Sequence, residues 1–93
     1  SLTFSFPGSA AFYGGGYGSS EPASGFQAFN AAQQTAVRAI LQNYASVANL
    51  TFSELTESST VHADLRFAES NLPGTAWAYM PSPAAEGGDA WFN

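Results

Sequence analysis

Cysteine is missing from the 93 residues, and with it go disulfides and thiolate chemistry. Lysine is missing too: two arginines stand against seven acidic residues, for a net charge of −5. So few cations cannot displace the counterions condensed on a nucleic acid, and an anionic membrane surface is disfavoured for the same reason. No run of about 18 apolar residues occurs, so no helix of the usual membrane-spanning kind is expected. No signal-peptide pattern opens the chain, which leaves open a sequence that begins after processing. What is present is apolar: 45% of residues are hydrophobic and 15% aromatic, too many for a disordered tail. This length makes one small domain at most, burying about 60–65% of its unfolded surface. Cysteine-free, acidic and rich in glycine and serine, the composition suits a cytosolic protein and a bacterial exported protein equally.

The stretch from Asn30 to Glu57 organises the rest. Asn30 can cap a helix, and Gln33 three residues on completes a capping-box spacing. Val37, Ile40, Leu41, Tyr44 and Val47 recur at helical spacing as one apolar stripe. Asn49 is a natural left-handed stop. Behind it Leu50 to Leu55 alternates with period two, as a strand does. Ahead of the helix, Leu2, Phe4 and Phe6 form a strand ended by Pro7-Gly8. Residues 8 to 25 form a loop of small residues with Phe12, Tyr13 and Tyr17 as anchors. After the helix, Ala63 to Phe67, Ala76 to Met80 and Gly88 to Phe92 read as three further strands separated by polar, proline and glycine turns. A strand–helix–strand unit implies a parallel pair, hence an α/β sheet of five strands with one long helix on one face. Apolar residues demand cover on both faces, so the spacing predicts that residues outside this chain supply another helix.

Chemistry-bearing residues are few. The run Gly14-Gly15-Gly16-Tyr17-Gly18 lacks the lysine and following Ser/Thr of a phosphate loop, and reads as a loop pinned by aromatics. His62 is the one histidine and there is no cysteine, so three ligands for a catalytic zinc are not in hand. An isolated histidine at a turn-to-strand junction reads as a hydrogen-bonding or surface residue. Glu54 and Glu57 read as a solvated acidic rim, Asp64 and Arg66 as partners of each other or of the helix, and Glu86 and Asp89 as solvated loop residues beside Gly87-Gly88. With no G-x-S-x-G elbow a serine-hydrolase triad has no support.

The segments LTFSFP, YGGGYGSSEP, FNAAQQTAVRAILQNYASVANLTFSELTE, ADLRFAES, TAWAYMP and GGDAWFN, in this order, cover nearly the whole chain. Together they resemble the amino-terminal half of the catalytic domain of serralysin-type zinc metalloproteases, a secreted bacterial branch of the metzincins. The resemblance implies that residues 1–93 are an incomplete catalytic domain, a metzincin-like half domain. Its sheet is twisted, five-stranded and mostly parallel, with one antiparallel edge strand. It implies a later HExxHxxGxxH helix, whose histidines hold zinc and whose glutamate is the general base, and a Met-turn; none of these is in this sequence. It also implies calcium in a carboxyl-terminal glycine-repeat region, and an extracellular location.

The matching segment for substrate contact is the edge strand, here Ala76, Trp77, Ala78, Tyr79 and Met80. An exposed edge can take an extended peptide as one more strand through main-chain groups, and Pro81 suits the end of such an edge. The sequence thus reads as the amino-terminal portion of a secreted zinc endopeptidase. On this reading it is inactive alone and is completed by the remainder of the same protease, in the same polypeptide or as a separate chain. A second reading is a secreted, non-enzymatic module that binds carbohydrate or peptide on Trp77, Tyr79 and Trp91. It requires those three aromatics to be exposed together.

Overall fold

The computed structural model describes residues 2–93. The helix α1 (Ala31–Ala48) begins where the capping box places it. The Asn30 side chain accepts from the Gln33 amide at 2.8 Å, and the Gln33 side chain accepts from the Asn30 amide at 2.7 Å. Each bond satisfies a backbone N–H that the helix itself cannot reach. Asn49 ends the helix in the left-handed region, at φ 53°. The strands are β1 (Leu2–Ser5), β2 (Gln27–Ala28), β3 (Phe52–Glu54), β4 (Leu65–Glu69), β5 (Ala76–Ala78) and β6 (Ala90–Phe92).

The strand order is β3-β1-β4-β6-β5. β1 is parallel to β3 and β4, and β4 is parallel to β6; β5 runs antiparallel to β6 at the end of the sheet. This is the parallel α/β arrangement that the sequence pattern predicts, with the antiparallel edge strand that the family resemblance implies. The addition is β2, which pairs antiparallel with Ala68 and Glu69 beyond the end of β1. Two residues are too few to show alternation, so the sequence carried no signal for it.

The two faces of the sheet are built differently. On the helix side Phe6 packs against Phe4, Phe29 and Phe67, and Phe29 packs against Phe92. The Arg38 guanidinium lies 5.3 Å from the Phe6 ring centroid and bonds Glu54 on β3 at 2.7 and 3.0 Å, tying α1 to this face. On the opposite side the loop 8–25 folds back as cover, with short 3₁₀ turns at Ala10–Tyr13 and Glu21–Ala23. Tyr13, Tyr17 and Phe26 pack there around Trp91, which is 0% exposed. The loop thus does for one face what the sequence reading assigned to a second helix.

The helix side is the open one. Val37, Leu41 and Ala45 are half-buried, whereas Ile40, Tyr44 and Val47 are 53%, 59% and 83% exposed. Those residues therefore do not form a single buried stripe. At 3.6 residues per turn, the apolar arc from Val47 to Ala45 spans roughly 160°, wider than one sheet contact can cover. Phe92 and the alanines of β5 are exposed on this side as well.

Asn30→Ala should cost about 1 kcal/mol in denaturant unfolding, and Asn30→Gly only a few tenths. Equal losses from the two would show that the side-chain bond to Gln33 does not set the helix start.

Candidate functional site

Alternation along β4 sends Phe67 to the helix side and Arg66 to the loop side, where Arg66 is buried. Its guanidinium uses its donors fully. Nε and Nη2 donate to Asp89 Oδ1 and Oδ2 at 2.9 and 2.8 Å, Nη2 also to the Ala85 carbonyl at 2.7 Å, and Nη1 to the Phe12 carbonyl and Glu57 Oε1 at 3.4 and 3.5 Å. The plane lies 4.4 Å from the Tyr13 ring centroid. A planar fork with five N–H groups suits this arrangement in a way an ammonium would not.

Both carboxylates are themselves held. Glu57 Oε2 accepts from Ser5 Oγ at 2.9 Å and from the Ala63 amide at 2.6 Å, and Glu57 Oε1 lies 2.8 Å from His62 Nδ1. Asp89 Oδ2 accepts from Tyr17 Oη at 2.5 Å, and Tyr17 Oη in turn accepts from Trp91 Nε1 at 2.9 Å. Burial lifts the Asp89 carboxyl above its usual range, against the bonds from Arg66 and Tyr17 that act the other way. Burial likewise pushes the Tyr13 and Tyr17 phenols far above their ordinary value of 10.0; the Asp89 charge adds to the shift of Tyr13, and its hydrogen bond and charge to that of Tyr17.

Three sequence expectations are corrected here. Glu57 is not part of a solvated rim, because the turn after β3 carries it under the sheet to Arg66. Asp89 is not a solvated loop residue but the bidentate partner of Arg66. Asp64 does not pair with Arg66; its Oδ2 accepts from the Thr3 amide and hydroxyl at 2.9 and 3.1 Å, fastening β1 to the start of β4. His62 is a hydrogen-bonding residue, as expected. Among the described residues no three His, Cys, Asp or Glu side chains come together to hold a metal ion.

The residues expected to contact a peptide lie on β5 and the two positions after it. β5 ends the strand order, so its outer edge has no partner strand among the described residues. The Tyr79 amide donates to the Asp89 carbonyl and its carbonyl accepts from Gly88, while the Thr75 carbonyl accepts from Asn93. In an antiparallel ladder main-chain groups alternate between the two edges. Thr75, Trp77 and Tyr79 therefore point theirs at β6, and Ala76 and Ala78 point theirs outward, while Met80 lies beyond the strand. Side chains alternate as well: Trp77 and Tyr79 lie on the loop side, and Ala76 and Ala78 on the other. Trp77 Nε1 donates to Glu21 Oε2 at 2.8 Å, and Tyr79 Oη bonds the same oxygen. Sequence reasoning missed Glu21; only two hydrogen-bond donors spaced i, i+2 on an edge strand hinted that an acceptor sits beneath.

No family model matches the chain. It is 39% identical over 71 residues to a serralysin of Photorhabdus sp. (strain Az29), and 33% identical over 76 residues to serralysin A of Dickeya chrysanthemi. Each match covers 75% of this chain. Over that stretch the chain is of the serralysin type. It spans only 15–16% of the length of these curated relatives. The mixed sheet with one helix is compatible with half of a metzincin-like domain in this serralysin-type segment.

Tyr13 and Tyr17 give a pH signature. Below pH 10 both phenols are neutral folded or unfolded, and their contribution to stability is intact. Above it the unfolded chain releases two protons that the folded chain keeps, so stability should fall by about 2.7 kcal/mol per pH unit. Denaturant midpoints from pH 9 to 11.5 read this directly, and Tyr17→Phe should halve the slope. A flat profile would place both rings in water.

Proposed function

We propose that this chain is the amino-terminal part of the catalytic domain of a secreted zinc endopeptidase, and that β5 is its peptide-binding edge. The observation that carries the reading is the outward main chain of Ala76 and Ala78 on an antiparallel edge strand, in a segment related to serralysins. An extended peptide laid along that edge gains N–H and C=O partners without demanding particular side chains, which suits a protease acting on many sequences. Trp77 and Tyr79 serve from below, bracing the strand from the loop side.

The zinc ligands and general base lie in the remainder of the same protein, which also covers Ile40, Tyr44, Val47 and Phe92 on the helix side. Calcium belongs to that remainder's glycine repeats, and the assembled protein works outside the cell. On this reading the chain by itself is inactive, the metal-ligand set belonging to the remainder. The binding-module reading requires Trp77, Tyr79 and Trp91 on one exposed surface. Trp91 lies instead in the core between Tyr13 and Tyr17, so only two of the three reach solvent.

Ala78→Pro in the full-length protein tests the edge. Proline there removes one outward N–H while sparing the ladder to β6. KM for an extended peptide should rise about tenfold, the scale of one main-chain hydrogen bond, with zinc content unchanged. An unchanged KM would show that peptide does not add to β5.

A further inference from the structure

Glu21 is the largest buried polar side chain that the ion-pair network does not use. It is 0% exposed and has no cationic partner among the described residues. Its carboxylate instead collects three neutral donors. The Ser19 amide donates to Oε1 at 3.0 Å, and Trp77 Nε1 and Tyr79 Oη both bond Oε2. Two of the three come from the edge strand. We infer that Glu21 is a positioning residue for peptide binding, a latch that fixes β5 from below while its outer edge stays open. The inference rests on the reading of β5 as the peptide-binding edge.

β5 needs such a device. It is three residues long and has one neighbouring strand, so its ladder alone would leave it at the frayed end of the stability range. A mobile edge must be ordered each time a peptide binds, and that ordering weakens binding. Trp77 and Tyr79, two residues apart, point to the same side and converge on one oxygen. Ala78 between them keeps its amide outward. The latch therefore fixes the strand through side chains and leaves its outward main-chain groups free.

The base of the latch is built with equal care. Ser20 takes a left-handed conformation at φ 69° to start the turn, and Pro22 stiffens it. Gly18 is at φ +27°, where a Cβ would lie 2.7 Å from Tyr79 Oη and 3.2 Å from Glu21 Oε1, so the backbone has room only as glycine. The Glu21 carbonyl accepts from Ser70 Oγ at 3.0 Å, and Tyr17 anchors the other end of the loop to Asp89. The carboxylate thus stands on a loop fastened to β4 and β6, and it transmits their rigidity to β5. Glutamine could not replace it, because its amide nitrogen would face the Trp77 donor or the Ser19 donor.

The test uses Tyr79→Phe and Trp77→Phe in the full-length protein, each removing one donor while keeping an aromatic ring, with Glu21→Gln alongside. Two readouts are taken: amide hydrogen exchange of residues 75–80, and kcat and KM for an extended peptide. Each Phe variant should speed exchange at least tenfold and raise KM three- to tenfold, well beyond any fall in kcat. Unchanged exchange overturns the latch. Faster exchange with an unmoved KM also overturns it, because the bonds would then serve only the fold. Ala78→Pro separates the two ideas. If it raises KM and the Phe variants do not, the edge reading stands and the latch falls; if none of them moves KM, the edge reading fails and takes the latch with it.

Discussion

The bidentate bond between Arg66 and Asp89 holds four parts of the chain at one point. Arg66 lies on the central strand β4 and Asp89 at the start of β6. Tyr17 brings in the long loop through Asp89, and Glu57 brings in the turn after β3. A guanidinium under a sheet is tolerable only because every N–H finds an acceptor; removing one partner of such a pair typically costs about 3–5 kcal/mol by leaving a charge unpaired. In a chain with two cations this one is spent entirely on architecture. The other, Arg38, is exposed and ties the helix to β3, where solvent screens the pair and limits its worth.

From that point the two sides of the sheet diverge. On the loop side aromatic rings, buried hydroxyls and carboxylates close over Trp91, and the face is finished. On the helix side a single helix leans on the β1–β3 half through Arg38, which bonds Glu54 and lies over Phe6. Its outer flank and the β6–β5 half stay in contact with water. A finished face lies beneath the edge strand and an unfinished one above it.

Much of this was legible in the residues. The helix limits came from Asn30, Gln33 and Asn49, whose side chains bond their own neighbours and so act locally. The strands came from alternation, and the edge character of β5 from Pro81 and from the resemblance. What was not legible is long-range. Nothing near Glu57 or Asp89 in sequence announces that each will meet Arg66, because the meeting depends on which strands become neighbours. Glu21 was hidden for the same reason: its two donors lie more than fifty residues away. The apolar stripe of α1 was read as one face because periodicity shows which residues are apolar, not how much of that arc the sheet can reach.

The central claim is that the helix side is completed by the rest of a serralysin-type protease. Hydroxyl-radical labelling of Tyr44 and Phe92, compared between the 93-residue chain and the full-length protein, tests it most directly. The account predicts that both rings label readily in the short chain and are shielded several-fold in the full-length protein. Equal labelling in the two would contradict it, for the exposed flank of α1 would then be an ordinary solvent surface and the segment would need no remainder to finish its fold.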